Sequence, residues 1–134
     1  MITRETDYSM RMVLALADRY KQGVDSVSSA AVAAEMDIPY RFLRKLAKRL
    51  VAGGLIETRR GKGGGVALAR KPEDISLFDV LKATGPRGAE LSLCVSEPHS
   101  CQRSALCRLH SQFKDIQGEV DRRLKAVSLA DLVG

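Results

Sequence analysis

A chain of 134 residues with 45% hydrophobic content can close one core unaided, which excludes a disordered or staple-dependent polypeptide. Lys and Arg outnumber Asp and Glu by 22 to 16, a net charge of +6 that suits a polyanionic partner. Three cysteines, an odd number, exclude a self-contained disulfide framework, and no apolar run approaches the ~20 residues of a membrane helix.

The charged start MITRETDYSM has no apolar leader, so a cytoplasmic protein with reduced thiols and no membrane partner is expected. Residues 6–20 predict a first helix, with Tyr8, Met12, Leu16 and Tyr20 on every fourth position and Thr6 as its N-cap. Ser28 or Ser29 caps a second, alanine-rich helix. Pro39 opens a third, where its missing N–H costs nothing. Its buried stripe is Leu43, Leu46, Ala47 and Leu50; its other face carries Arg41, Arg44, Lys45, Lys48 and Arg49, and Gly53-Gly54 stops it.

Two β-prone runs follow, LIETR and VALAR, joined by the glycine-rich tip RGKGGG, a pattern that suits a hairpin. Pro72 breaks the chain, and Ser76 caps a short helix ended by Gly85-Pro86. From about Ser104 the chain turns helical again, and Leu106, Leu109, Phe113, Ile116, Val120, Leu124 and Val127 form a seam close to that of a coiled coil, locally weakened by Gly118. A narrow stripe this long has no partner left in so small a chain, so its copy in a second subunit is expected; the alternative is a helix folded back on its own domain. The fold class is thus mainly α with a small β-hairpin: a winged helix–turn–helix over 1–86, a cysteine-containing loop over 87–103, and a dimerisation helix with its tail over 104–134.

Between residues 41 and 62 stand eight basic residues and a single acid, Glu57. A charge run is usually only a solvated face. Here it falls on the second helix of a helix–turn–helix and on the hairpin after it, the layout that docks a helix in the major groove of double-stranded DNA and a wing in the adjacent groove. The expected DNA-binding residues are Ser28, Tyr40, Arg41, Arg44, Lys45, Lys48, Arg59, Arg60, Gly61, Lys62 and Gly63. The RGKGGG tip is not a phosphate-binding P-loop, because no Ser or Thr follows Lys62.

All three cysteines lie in LCVSEPHSCQRSALCRLH, with the spacing C-x6-C-x5-C-x2-H that ends in His110. Thiolate and imidazole are ligands of soft and borderline metals, and thiolates hold iron–sulfur clusters. Cys107 and His110, at i and i+3 where the helical pattern begins, are expected on one face. The alternative is a set of buried thiols and a surface histidine, but the segment is polar and has little apolar content to bury a thiol. Cys94, Cys101 and Cys107 are therefore read as ligands. An iron–sulfur cluster, a structural zinc in a Cys3His site and a thiol redox switch all fit the residues themselves. A basic module for an acidic protein is the reading from another class. No nucleophile–base pair points to an enzyme.

The chain resembles the Rrf-two family of bacterial winged-helix transcription regulators over essentially its whole length. TDYSMRMVLALA is similar to the family's first helix, DISLFDVLKATG to the segment after the wing, and SLADLV to its C-terminal part. RRGKGGGVALAR resembles the wing signature R-G-x-G-G-G-Y-x-L, with Val66 where an aromatic is frequent. The resemblance implies a homodimer paired through crossed C-terminal helices, and, for members with three cysteines, a cluster that senses iron–sulfur status, oxygen, redox state or nitric oxide. Their usual spacing is C-x5-C-x5-C, one residue shorter in the first spacer. Arg44 stands where IscR-like members have a base-reading glutamate, so their operator sequence is not carried over. His110 resembles the histidine ligand of IscR-like [2Fe–2S] sites. Asp7, in TDYSMR, resembles the aspartate that completes NsrR-like [4Fe–4S] sites from the other subunit. A carboxylate is the more displaceable ligand and suits a sensor. The resemblance therefore favours [4Fe–4S] with Asp7 of the partner subunit over [2Fe–2S] with His110.

Overall fold

The computed structural model describes residues 2–61, 64–85 and 89–134. Helix α1 (Arg4–Lys21) begins earlier than its apolar repeat suggests: the N-cap is Thr3, whose hydroxyl accepts from the Thr6 amide at 3.2 Å. Thr6 itself is buried inside the first turn, its hydroxyl 3.0 Å from that of Thr3. Two threonines three residues apart offer two caps, and the upstream one places Glu5 and Asp7 in the first turn, where carboxylates complement the helix dipole.

Helix α2 (Ser29–Glu35) is capped by Ser28, which accepts from the Ala31 amide at 3.1 Å. Asp37, at φ 53°, turns the chain into α3 (Tyr40–Ala52), which starts behind Pro39. The expected stripe of Leu43, Leu46, Ala47 and Leu50 is buried. Gly54 adopts φ 74° just beyond the helix end, a conformation that favours glycine.

Strands β1 (Ile56–Arg59) and β2 (Gly65–Leu68) pair antiparallel, Ile56 opposite Leu68 and Arg59 opposite Gly65. Val27 adds a bridge to Val66, with bonds of 3.0 and 2.8 Å in the two directions. That bridge explains a glycine of the wing: a Cβ on Gly65 would lie 2.1 Å from the Val27 carbonyl oxygen. Gly64 is confined likewise, 2.3 Å from the Arg59 oxygen.

A 3-10 turn (Pro72–Asp74) leads to α4 (Leu77–Thr84), closed at its start by a reciprocal Ser76–Asp79 capping box. The cysteine segment contains α5 (Leu93–Ser96) and a second 3-10 turn (Pro98–Ser100). The long helix α6 (Arg108–Ala126) starts four residues later than the sequence pattern suggested, and Cys107 is its N-cap. Cys107 and His110 are thus the N-cap and the third residue of α6, the same i, i+3 spacing at the helix start. Last comes α7 (Leu129–Leu132), with its own Ser128–Asp131 capping box.

The core gathers Met12, Val13 and Leu16 of α1 with Val32, Leu43, Leu50, Ile56, Val66 and Val80. The tail returns to it. Ser128 bridges Ser76, the Leu77 amide donates to Val127 O at 2.9 Å, and Leu129 is fully buried.

Candidate nucleic-acid interface and thiol segment

Amphipathic α3 buries its leucines against α1, which leaves Tyr40, Arg41, Arg44, Lys45 and Lys48 exposed on the other side. Tyr40, Arg44 and Lys48 line one wall of a groove of about 360 Å³ whose opposite wall is the hairpin, at Thr58 and Val66. Ser29 also lines it, and sequence reasoning missed both Ser29 and Thr58; strand alternation groups Thr58 with the buried Ile56, yet it is exposed. Ser28 commits its hydroxyl to the α2 cap. Among the described residues Arg41, Arg44, Lys48 and Arg60 form no ion pair, so these charges are available to an external anion. Arg59 pairs with Glu57 at 3.0 Å. Gly61 takes φ 95° at the wing tip, while Lys62 and Gly63 lie outside the described residues.

Two cations of the basic run are paired with an acid of this same chain. Lys45 Nζ lies 3.1 Å from Glu5 Oε1, and Arg49 Nη1 lies 2.8 Å from Glu5 Oε2. These two partners hold the Glu5 carboxyl below its ordinary value of 4.5, Lys45 contributing first and Arg49 second. A lowered folded value means that the pairing stabilises above the ordinary glutamate range and is lost as pH falls below it.

The thiols stand on three pieces of one segment. Cys94, on α5, is half-buried with Sγ 2.9 Å from Ser92 Oγ. Cys101 is exposed after the 3-10 turn, and Cys107 is half-buried at the α6 cap. Cys101 and His110 line one hollow of about 450 Å³, together with His99, which sequence reasoning passed over. The Nδ1 of His110 and the hydroxyl of Ser104, a residue also on that hollow, are buried with no hydrogen-bond partner among the described residues. The Gln117 amide ties the segment to α6: its Oε1 accepts from Leu91 N at 2.7 Å and its Nε2 donates to Ala89 O at 3.3 Å. Asp7 is placed elsewhere, on α1, paired with Arg11 at 2.7 Å. Among the described residues no three His, Cys, Asp or Glu side chains converge closely enough to hold a metal ion. The donor chemistry and the orphaned imidazole nitrogen nevertheless fit a thiolate-bound group in this segment.

A helix–turn–helix followed by a basic hairpin is the layout of a winged-helix DNA-binding protein. Comparison with known proteins agrees. The family model Rrf2, described as an iron-dependent transcriptional regulator, matches residues 2–134, and the chain belongs to that family. Its members are transcriptional regulators, not enzymes. The transcriptional regulator NsrR of Halalkalibacterium halodurans is 36% identical over 133 residues, 98% of this chain and 89% of that protein. NsrR of Shouchella clausii is 35% identical, with 98% and 87% covered. In fold the chain is similar to T. potens IscR, with TM-score 0.76, 22% identity and 98% and 85% coverage. It is also similar to CymR, the global cysteine regulator of B. subtilis, with TM-score 0.75, 24% identity and 98% and 95% coverage.

Proposed function

We propose that this regulator is a cytoplasmic homodimer that binds double-stranded DNA through α3 and the wing, and that it holds an iron–sulfur cluster on Cys94, Cys101 and Cys107. The carrying observation is the confinement of all three thiols to one polar segment fastened to α6, beside an imidazole nitrogen that lacks a partner. The family's description as iron-dependent supports the same reading. When bound, such a cluster supplies a centre reactive toward oxidants and nitric oxide.

The chain's own residues supply the rest. Arg41, Arg44 and Lys48 face the major groove, Lys45 adds charge beside them, and Arg59, Arg60, Gly61, Lys62 and Gly63 bring the wing to the neighbouring groove. Neutralised phosphates provide much of the affinity. Exposed Leu109 and Ile116 on α6, with Leu106 in the turn before it, pair the helix with its copy. Function divides as 1–86 for DNA, 87–103 for the cluster, and 104–134 for pairing, with α7 docked back on the first unit.

Asp7 of the partner subunit as fourth ligand, with [4Fe–4S], is the first reading. One observation favours a second: His110, whose buried Nδ1 has no hydrogen-bond partner among the described residues, lines the hollow that Cys101 also lines, whereas Asp7 already pairs with Arg11. Anaerobic purification with absorption spectra and iron and sulfide analysis tests the cluster. Stoichiometric zinc without sulfide would instead support a structural Cys3His site. Mössbauer spectra of Asp7→Ala and His110→Ala separate the two ligands.

A further inference from the structure

Arg49 belongs by sequence to the basic run of the recognition helix, yet its guanidinium is bonded inward. A single Nη1 donates to Glu5 Oε2 and to the carbonyl of Thr84, both at 2.8 Å. Thr84 is the last residue of α4, so its carbonyl is one of the helix-end acceptors with no partner in its own helix. The arginine satisfies it and places a cation at the negative end of α4. Glu5, in the first turn of α1, takes Arg49 on one oxygen and Lys45 on the other. Three helices therefore meet at two side chains.

An independent contact fixes the same end of α3. A Cβ on Gly53, the residue that closes α3, would lie 2.8 Å from the Cβ of Ala83 on α4. Alanine's Cβ cannot swing aside, so the end of the recognition helix rests directly on α4. The bonds of Arg49 lie one turn before that contact.

We propose that Glu5 and Arg49 are positioning residues for DNA recognition: they set the angle of α3 against α1 and α4, and neither contacts DNA. The proposal rests on the reading of α3 as the recognition helix. It carries a sign that simple charge arithmetic reverses. Removing an acid beside a basic DNA-binding face strengthens phosphate attraction and raises affinity. If Glu5 aims the helix, its removal lowers affinity.

The test uses the full chain and a duplex selected from a random pool by the unaltered protein, with affinity measured across a salt series. Glu5→Gln is expected to weaken binding about fivefold, the scale of one lost charge-assisted bond in partly exposed surroundings. Arg49→Gln should weaken binding similarly and leave the log–log salt slope at its original value. Lys48→Ala, the comparator for a direct phosphate contact, should lower that slope by about 0.9. The double variant Glu5→Gln with Arg49→Gln should lose little more than either single change, because both remove one unit. Arg49→Lys, which keeps the charge but not the fork, should also bind more weakly; thermal melts establish that each variant is folded at the assay temperature. Glu5→Gln binding as tightly as the unaltered protein, or tighter, overturns the proposal. So does a slope reduced by Arg49→Gln. An unchanged slope in Lys48→Ala would remove the α3 docking itself, and this proposal with it.

Discussion

Leu43, Leu50 and Leu55 in the winged-helix half are at most 1% exposed, closed off by their own chain, whereas Leu106, Leu109 and Ile116 are 94, 58 and 43% exposed. In α6 the one buried residue is polar, Gln117, and it is bonded to the start of the cysteine segment. The first half closes with the help of the tail, whose Leu129 lies in the same core. The second half presents an apolar row that the described residues cover only in part: Phe113, Val120 and Leu124 are half-buried, while Leu109 and Ile116 stay exposed. A helix of this kind is marginal by itself, because amphipathic helices draw most of their stability from what covers the apolar face.

Placing charge on the exposed row strains this contrast most. Ile116→Glu combined with Val120→Glu is expected to yield monomers in light scattering with the helical signal retained, and to abolish binding to a duplex with two half-sites. A monomeric mass for the unaltered protein would break the comparison outright. In the closed half, Leu50→Ala should cost about 2–5 kcal/mol in urea unfolding, the range for a leucine truncated in a sealed core. Gly65→Ala should cost less, about 1–3 kcal/mol for overpacking, because the new methyl meets the backbone of Val27. Faster amide exchange at Val66 and Val27 than in the unaltered protein is the accompanying signature; protection equal to it would show that the wing tolerates a side chain there.

The closed half was legible because its signals are local. The leucine stripe of α3, the Ser28 and Ser76 caps and the glycine-rich hairpin each lie within a few residues of what they organise. The misreadings share the opposite property. Arg49 looked like a member of the exposed basic face because its partners, Glu5 and Thr84, are 44 and 35 residues away. The return of Leu129 to the core depends on a bridge between Ser76 and Ser128 that leaves no periodicity. The apolar repeat predicts too early a start for α6 because its first member, Leu106, lies in the preceding turn. In the thiol segment, ligand-type residues were readable from spacing, but their separation onto α5, a loop and a helix cap was not. His99, two residues before Cys101 in sequence, was readable as a ligand-type residue, and the 3-10 turn carries it to the hollow shared with His110.

Gly118 gives the smallest and most discriminating effect. It lies inside α6, where glycine costs about 0.5–1 kcal/mol relative to alanine. Among the described residues, nothing beyond its chain neighbours and its own helical backbone comes within 4 Å of a Cβ built there. It is two residues from both Ile116 and Val120, which puts it on the side of the helix opposite the apolar row. If the row alone meets a partner, Gly118→Ala should raise the unfolding free energy by that amount and leave the dimer dissociation constant unchanged. A weakened dimer would place a second surface against Gly118, and α6 would then be covered on both sides, not along one seam.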